Sequence, residues 1–262
     1  MSLRTVLIRI ADLAACLRFF SRLPIPRLMA LDDPMAPPAL PRAAAMIPIA
    51  GSIIALPAAL LLALLAITSL PPLAIGFLAV AVLVTPTGGL HEDGLADTAD
   101  GLFGGHDKER RLAIMKDSRI GAFGALALIV VLGLKASLIG GLAETGAFTA
   151  FAVLLGGAAV SRLAVVGLWA ALPPARSNGL SASFMRPNQT AFVQAAIAAL
   201  AACLPAVFVL DPGDLLLGLA LAAAITLVVG LLARSKIGGQ TGDILGAVQV
   251  LAEAAFLLGI LV

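Results

Sequence analysis

Residues 147–172 read AFTAFAVLLGGAAVSRLAVVGLWAAL, a stretch whose single charge is Arg162. A helix needs roughly 20 apolar residues to cross a bilayer, and this run supplies them without a break. Runs of the same kind lie at 44–67, 70–87, 120–142, 190–210, 215–233 and 244–262. Across the 262 residues, 61% are hydrophobic and 12% charged, and the mean hydropathy is +1.08. A soluble domain would carry about a quarter charged residues. The fold class that follows is all-α, a polytopic integral membrane bundle of about seven transmembrane helices. It forms one membrane domain over 1–262, with no internal repeat. Pro48, Pro57, Pro71 and Pro72 leave the first two spans the most open to breaking or merging. Glycines at 121, 124, 133, 140, 141, 156 and 157 read as places where helices approach closely.

Charge placement gives the orientation. The connections around Ser69, Glu144 and 211–214 hold no Lys or Arg, whereas the arm 1–43 and the alternate connections hold fifteen of the 17 basic residues. This is the positive-inside pattern. It puts the N-terminus and segment 88–119 in the cytoplasm, and the C-terminus outside if the number of spans is odd. Residues 6–16, interrupted by Arg9 and Asp12, read as an amphipathic helix at the cytoplasmic interface and not as a cleavable signal. Cys16 and Cys203 read as small apolar packing residues with no disulfide framework. The basic residues are dispersed, so their partner is the lipid bilayer, with no nucleic acid partner. Assembly as a homo-oligomer stays open.

Against this greasy background, seven of the 15 carboxylates fall between Glu92 and Asp117. Asp93, Asp97 and Asp100, at i, i+4 and i+7, share one face if the segment is helical. The bland alternative is a solvated acidic loop. The flanking Gly94, Leu95, Ala96 and Ala99 instead suggest a helix with one buried side. Carboxylates stacked in this way repel one another, and a divalent cation with hard oxygen ligands relieves the repulsion. Asp93, Asp97 and Asp100 are therefore the candidate metal ligands. The lack of a Cys/His cluster favours Mg²⁺ or Mn²⁺ over Zn²⁺, and Glu92 points off the shared face. Such an ion at a membrane face completes its shell with phosphate oxygens, which implies a phosphate-bearing substrate.

The remaining candidates are cations and caps. Lys116, Asp117, Ser118 and Arg119 form a Lys-Asp-Ser-Arg run, in which Arg119 is the better phosphate ligand and plain positive-inside anchoring is the alternative. Arg162, following Ser161 in mid-span, calls for a carboxylate or phosphate inside the bundle. Thr241 and Asp243 suit the start of the last span, where Asp243 is either an N-cap or a site residue. Glu253, deep in that span, needs a partner the sequence does not name. His91 touches the acidic cluster as a proton-transfer or hydrogen-bonding residue, and His106 reads as a loop residue.

These motifs also carry a resemblance. HEDGLADTADG at 91–101, IMKDSRIG at 114–121, Ser-Arg at 161–162, GGQTGDILGA at 238–247 and RFFSRLP at 18–24 resemble the cobalamin synthase family, the adenosylcobinamide-GDP ribazoletransferases of bacteria and archaea. The resemblance implies an enzyme of the bacterial inner membrane acting late in coenzyme B12 assembly. It implies transfer from adenosylcobinamide-GDP to α-ribazole or its 5′-phosphate, release of GMP, and a Mg²⁺ requirement. The family's acidic motif falls on Asp93, Asp97 and Asp100, and its second motif on Lys116 to Arg119. With Mg²⁺ on Asp93 and Asp97, Asp100 is the expected general base if it is not a ligand.

Two other readings compete. Gly89, Asp93 and Asp97 echo the end of the CDP-alcohol phosphotransferase signature, but its earlier Asp-Gly portion is missing. A transporter would carry its carboxylates near the bilayer midplane, commonly within repeats.

Overall fold

A computed structural model of the chain describes residues 3–35, 39–176 and 185–262. The apolar runs are helices. The arm is α1 (Leu3–Phe20), followed by α2 (Leu40–Leu65), α3 (Pro72–Thr87), α4 (Leu90–Gly104), α5 (Lys108–Ile114), α6 (Ala122–Glu144), α7 (Ala147–Ala171), α8 (Gln189–Val207), α9 (Pro212–Ile237) and α10 (Gly242–Leu261). Among the described residues α2, α6, α7, α8, α9 and α10 are each long and apolar enough to cross a membrane. Helices α3 and α4 pass the same test only together, as a pair bent by 94°, which brings the number of crossings to six, or seven if that pair is one span.

The prolines do not merge the first hairpin. Pro57 is accommodated inside α2, and Pro71 and Pro72 open α3, where a missing first-turn N–H costs nothing. Polar caps start α5, α8 and α9: Asp107 accepts from Arg110 N at 2.8 Å, Asn188 from Ala191 N at 2.8 Å and Asp211 from Gly213 N at 2.7 Å.

Two helices form the centre of the bundle. In both α7 and α10, 72% of the apolar window is buried by the protein, against 22% in α9 and 28% in α6 and α8. The peripheral helices thus turn most of their apolar surface toward lipid. Helix α10 packs against α9, α4, α7 and α6, and α7 packs against α2 and α8. Glycine permits several of these approaches. A β-carbon on Gly259 would lie 2.6 Å from Gly218 N, and one on Gly140 would overlap Pro72 O. A β-carbon on Gly156 would lie 3.2 Å from Cys203 and one on Gly157 3.1 Å from Phe256, whereas one on Gly133 would meet open space. In membranes this van der Waals fit, not water exclusion, holds helices together.

The bundle core is not wholly apolar. Lys135 on α6 donates to Glu253 on α10 at 2.6 Å, with only 2% and 1% of the side chains exposed. Gln249 Nε2 donates to the same Glu253 oxygen at 3.0 Å and to Ser161 Oγ at 3.2 Å. Arg162 Nη1 also donates to Ser161 Oγ, at 3.1 Å. Glu253 thus finds its partner in Lys135. Arg162 makes no carboxylate ion pair among the described residues, although Glu253 and Glu92 are the acids whose field it feels.

Candidate active site

The site begins at a corner. Helix α3 closes on Gly88, whose N–H donates to Thr85 O at 3.1 Å, and Gly89 N donates to Val84 O at 3.3 Å. Both glycines are left-handed, at φ +63° and +75°, a region where a Cβ is strained. The double turn swings α4 across the end of the bundle. Gly94 lets α4 settle there, since a β-carbon on it would lie 2.8 Å from Asp243 O at the start of α10. Lys236, at the end of α9, ties the other end of α4 by donating to Leu102 O at 2.9 Å.

With the Gly94 face pressed on α10, the outward face of α4 looks into a cavity of about 680 Å³. Asp93 and Asp97 line it, together with Glu92, Arg22, Ser118 and Phe20. Asp93 is exposed and Asp97 half-buried. The Asp97 carboxyl is pushed up from 3.8 to about 7, first by burial and then by the fields of Asp93, Asp243 and Asp100, with Arg176 opposing. Asp97 is thus short of positive charge.

Asp100 departs from the expected arrangement. It lies on the same helix but is buried, with Oδ2 accepting Gly121 N at 2.7 Å and Oδ1 accepting Gly124 N at 2.8 Å. Gly121 is the N-cap residue of α6 and has no side chain to cap with, so Asp100 does the capping from outside. Gly121 and Gly124 serve this contact, since a β-carbon on either would strike the Asp100 carboxylate. Each Asp100 oxygen thus accepts one backbone N–H, which fixes the carboxylate against the start of α6. Among the described residues no group of three His, Cys, Asp or Glu side chains is arranged to hold a metal. Of the three aspartates, Asp93 and Asp97 line the cavity and Asp100 faces the start of α6.

The other expected residues are scattered. His91 is buried, its ring stacked at 6.3 Å on Phe20. Burial, then Arg162 and Lys135, push its pKa well below 6.5 and keep the imidazole neutral. Asp117 accepts from Arg119 Nε at 3.0 Å and Nη2 at 2.6 Å. These bonds, and the Arg119 N–H, bring its carboxyl down to about 2. The pair is self-contained and exposed, Lys116 is exposed, and Ser118 alone of the four lines the cavity. Arg162 is buried within the bundle. At the start of α10 the cap is Thr241, which accepts Ile244 N at 3.3 Å. Asp243 accepts the Thr241 hydroxyl at 3.1 Å and meets Arg176 at 3.6 Å. The residue that spacing does not reveal is Arg22, the one cation lining the cavity among the described residues. Its only signal is its place in RFFSRLP.

Among the described residues the wall therefore offers three carboxylates, of Glu92, Asp93 and Asp97, a guanidinium and no Cys or His. This donor set suits a hard cation that keeps positions for water and phosphate oxygen. The model of the cobalamin-5-phosphate synthase family matches residues 12–261, which include every one of these side chains. The chain belongs to the cobalamin-5-phosphate synthase family. Among its relatives, an adenosylcobinamide-GDP ribazoletransferase of Azorhizobium caulinodans is 44% identical over 254 residues, covering 97% of this chain and 96% of the relative. One of Brucella anthropi is 44% identical over 256 residues, covering 96% of both chains, and one of Brucella canis is 43% identical over 257. No solved structure matches. The matched residues include the whole lining of the cavity beside Gly88 and Gly89.

Proposed function

We propose that this chain is an adenosylcobinamide-GDP ribazoletransferase, joining adenosylcobinamide-GDP to α-ribazole or its 5′-phosphate with release of GMP. Family membership and the names of relatives covering nearly the whole chain support the reaction. The observation that carries the assignment to a site is the cavity shared by Asp93, Asp97 and Arg22.

In the transfer, a ribose hydroxyl oxygen of α-ribazole bonds to the phosphorus attached to the corrinoid side chain. The bond from that phosphorus to the GMP oxygen breaks, GMP leaves with the electron pair, and the hydroxyl proton passes to a wall carboxylate or to water. Asp93 and Asp97 would hold Mg²⁺, which supplies neutralisation of the diphosphate and of the leaving group. Ser118 and Arg22 bound the space in which the diphosphate lies.

The orientation follows from the arm. The cavity lies at the end of the bundle that carries Arg22, Lys116, Arg119, Arg176 and Lys236, and the basic end faces the cytoplasm. We assign the chain to the inner membrane on that ground, with the site open to cytoplasmic nucleotide.

Purified protein in Mg²⁺, supplied with adenosylcobinamide-GDP and α-ribazole, is expected to release GMP and form adenosylcobalamin. Transfer from a CDP-alcohol to an alcohol acceptor, with no GMP from the corrinoid substrate, would overturn the assignment.

A further inference from the structure

Arg22 differs from the other arginines around it. Arg18 holds Asp32 at 2.8 and 2.5 Å, and Arg42 holds Asp12 at 2.6 Å. Arg9 donates to Gln194 at 2.5 Å, and Arg27 donates to the carbonyls of Met29 and Ala30 at 3.2 and 2.9 Å. The Arg22 guanidinium has no hydrogen bond or ion pair with any described residue, although Glu92, Asp93 and Asp97 share its cavity.

Yet Arg22 is not loose. Its main-chain N–H donates to Pro86 O at 2.7 Å, which fixes the strand of arm after α1 to the last turn of α3. Arg18, four residues earlier, is anchored through Asp32 and through Ile25 O at 3.2 Å. The side chain then lies along Gly88, so close that a β-carbon there would overlap Nε and Cζ and sit 2.8 Å from Nη2. Glycine at the corner thus serves twice: it accepts φ +63° and it leaves room for the guanidinium.

A guanidinium is planar and presents parallel donors that match two oxygens of one phosphate. Here its main chain is fixed to α3, and the exposed side chain lies over Gly88 at a cavity whose acids make no ion pair with it. We propose that Arg22, seated on Gly88, is the clamp for the diphosphate of the guanosine nucleotide substrate. The ligand's identity rests on the function proposed above, and the clamp itself rests on the geometry. The arm is therefore part of the site, beside the Lys-Asp-Ser-Arg run, whose Arg119 pairs with Asp117 and whose Ser118 lines the same cavity.

The test uses GDP as probe, in Mg²⁺, with the full chain in lipid nanodiscs, by equilibrium dialysis on wild type, Arg22→Lys and Arg22→Gln. Loss of a charge-assisted bidentate contact is expected to weaken GDP binding about ten- to a hundredfold in Arg22→Gln and several-fold in Arg22→Lys. The KM for adenosylcobinamide-GDP rises in the same order, and the KM for α-ribazole does not move. GDP held by Arg22→Gln as tightly as by wild type overturns the clamp, and so does an equal rise in both KM values. If Arg22→Gln melts early, Arg22→Lys decides, because it keeps stem and charge and loses only the fork. Unchanged GDP affinity in that variant removes the proposal. Wild-type turnover, measured on the same preparation, tests the reaction separately.

Discussion

Asp100 closes the start of a helix that is not its own, accepting the Gly121 N–H at 2.7 Å and the Gly124 N–H at 2.8 Å. The carboxylate does for α6 what an N-cap side chain does elsewhere, and it binds α4 to α6 in the process. Removing an N-cap acceptor costs about 0.5–2 kcal/mol. Asp100→Ala is expected to lose that much stability, and Asp100→Asn, which keeps one acceptor oxygen, less. Thermal unfolding in detergent measures it. An Asp100→Ala protein that melts like wild type and loses only catalysis would return Asp100 to the chemistry.

The raised Asp97 carboxyl gives a pH dependence whose sign is fixed. An acid that titrates near 7 when folded and near 3.8 when unfolded binds its proton more tightly in the folded state. In metal-free protein its contribution to stability falls as pH rises from about 4 to about 7. A cation competes for the same oxygens. The Mg²⁺ concentration for half-saturation is therefore expected to rise as pH drops below about 7, and Mg²⁺ should stabilise the fold more at pH 8 than at pH 5. Unfolding curves with and without Mg²⁺ check this, and Asp97→Asn should flatten the difference. A stabilisation by Mg²⁺ that does not change with pH contradicts it.

In the bundle core, Lys135 and Glu253 neutralise each other at 2.6 Å with almost no solvent. Removing one member strands a buried charge, at about 3–5 kcal/mol, whereas replacing both with apolar residues of similar size is often neutral. Lys135→Met is expected to lower the unfolding midpoint strongly, and the Lys135→Met/Glu253→Leu double variant to recover most of it. A double variant as unstable as the single one would mean that Glu253 matters through Gln249 and Ser161 instead.

How much of this could be read in the chain follows from the range of each interaction. The spans were legible because composition over about 20 residues decides burial in lipid. The acidic helix face was legible too, since i, i+4 spacing is local. Helical spacing says which residues share a face, but not which neighbour the face meets. Asp93 and Asp97 remain on the cavity, while Asp100, one turn on, has rotated onto α6, a helix that the spacing does not locate. The partner of Glu253 lies 118 residues away, so no local pattern could name it. Arg22 was hidden among the arm's basic residues, whose positive-inside role accounts for all of them equally well; only the fold brings it over Gly88.

The central claim is that Asp93 and Asp97 together hold the Mg²⁺ on which transfer depends. Its most direct test is Mg²⁺-dependent GMP release, measured beside Mg²⁺ binding, for wild type, Asp93→Asn and Asp97→Asn in the same membrane preparation. Both variants are expected to insert and melt like wild type, to lose turnover, and to lose Mg²⁺ affinity. Wild-type GMP release from either purified variant, at the wild-type Mg²⁺ requirement, would contradict the account.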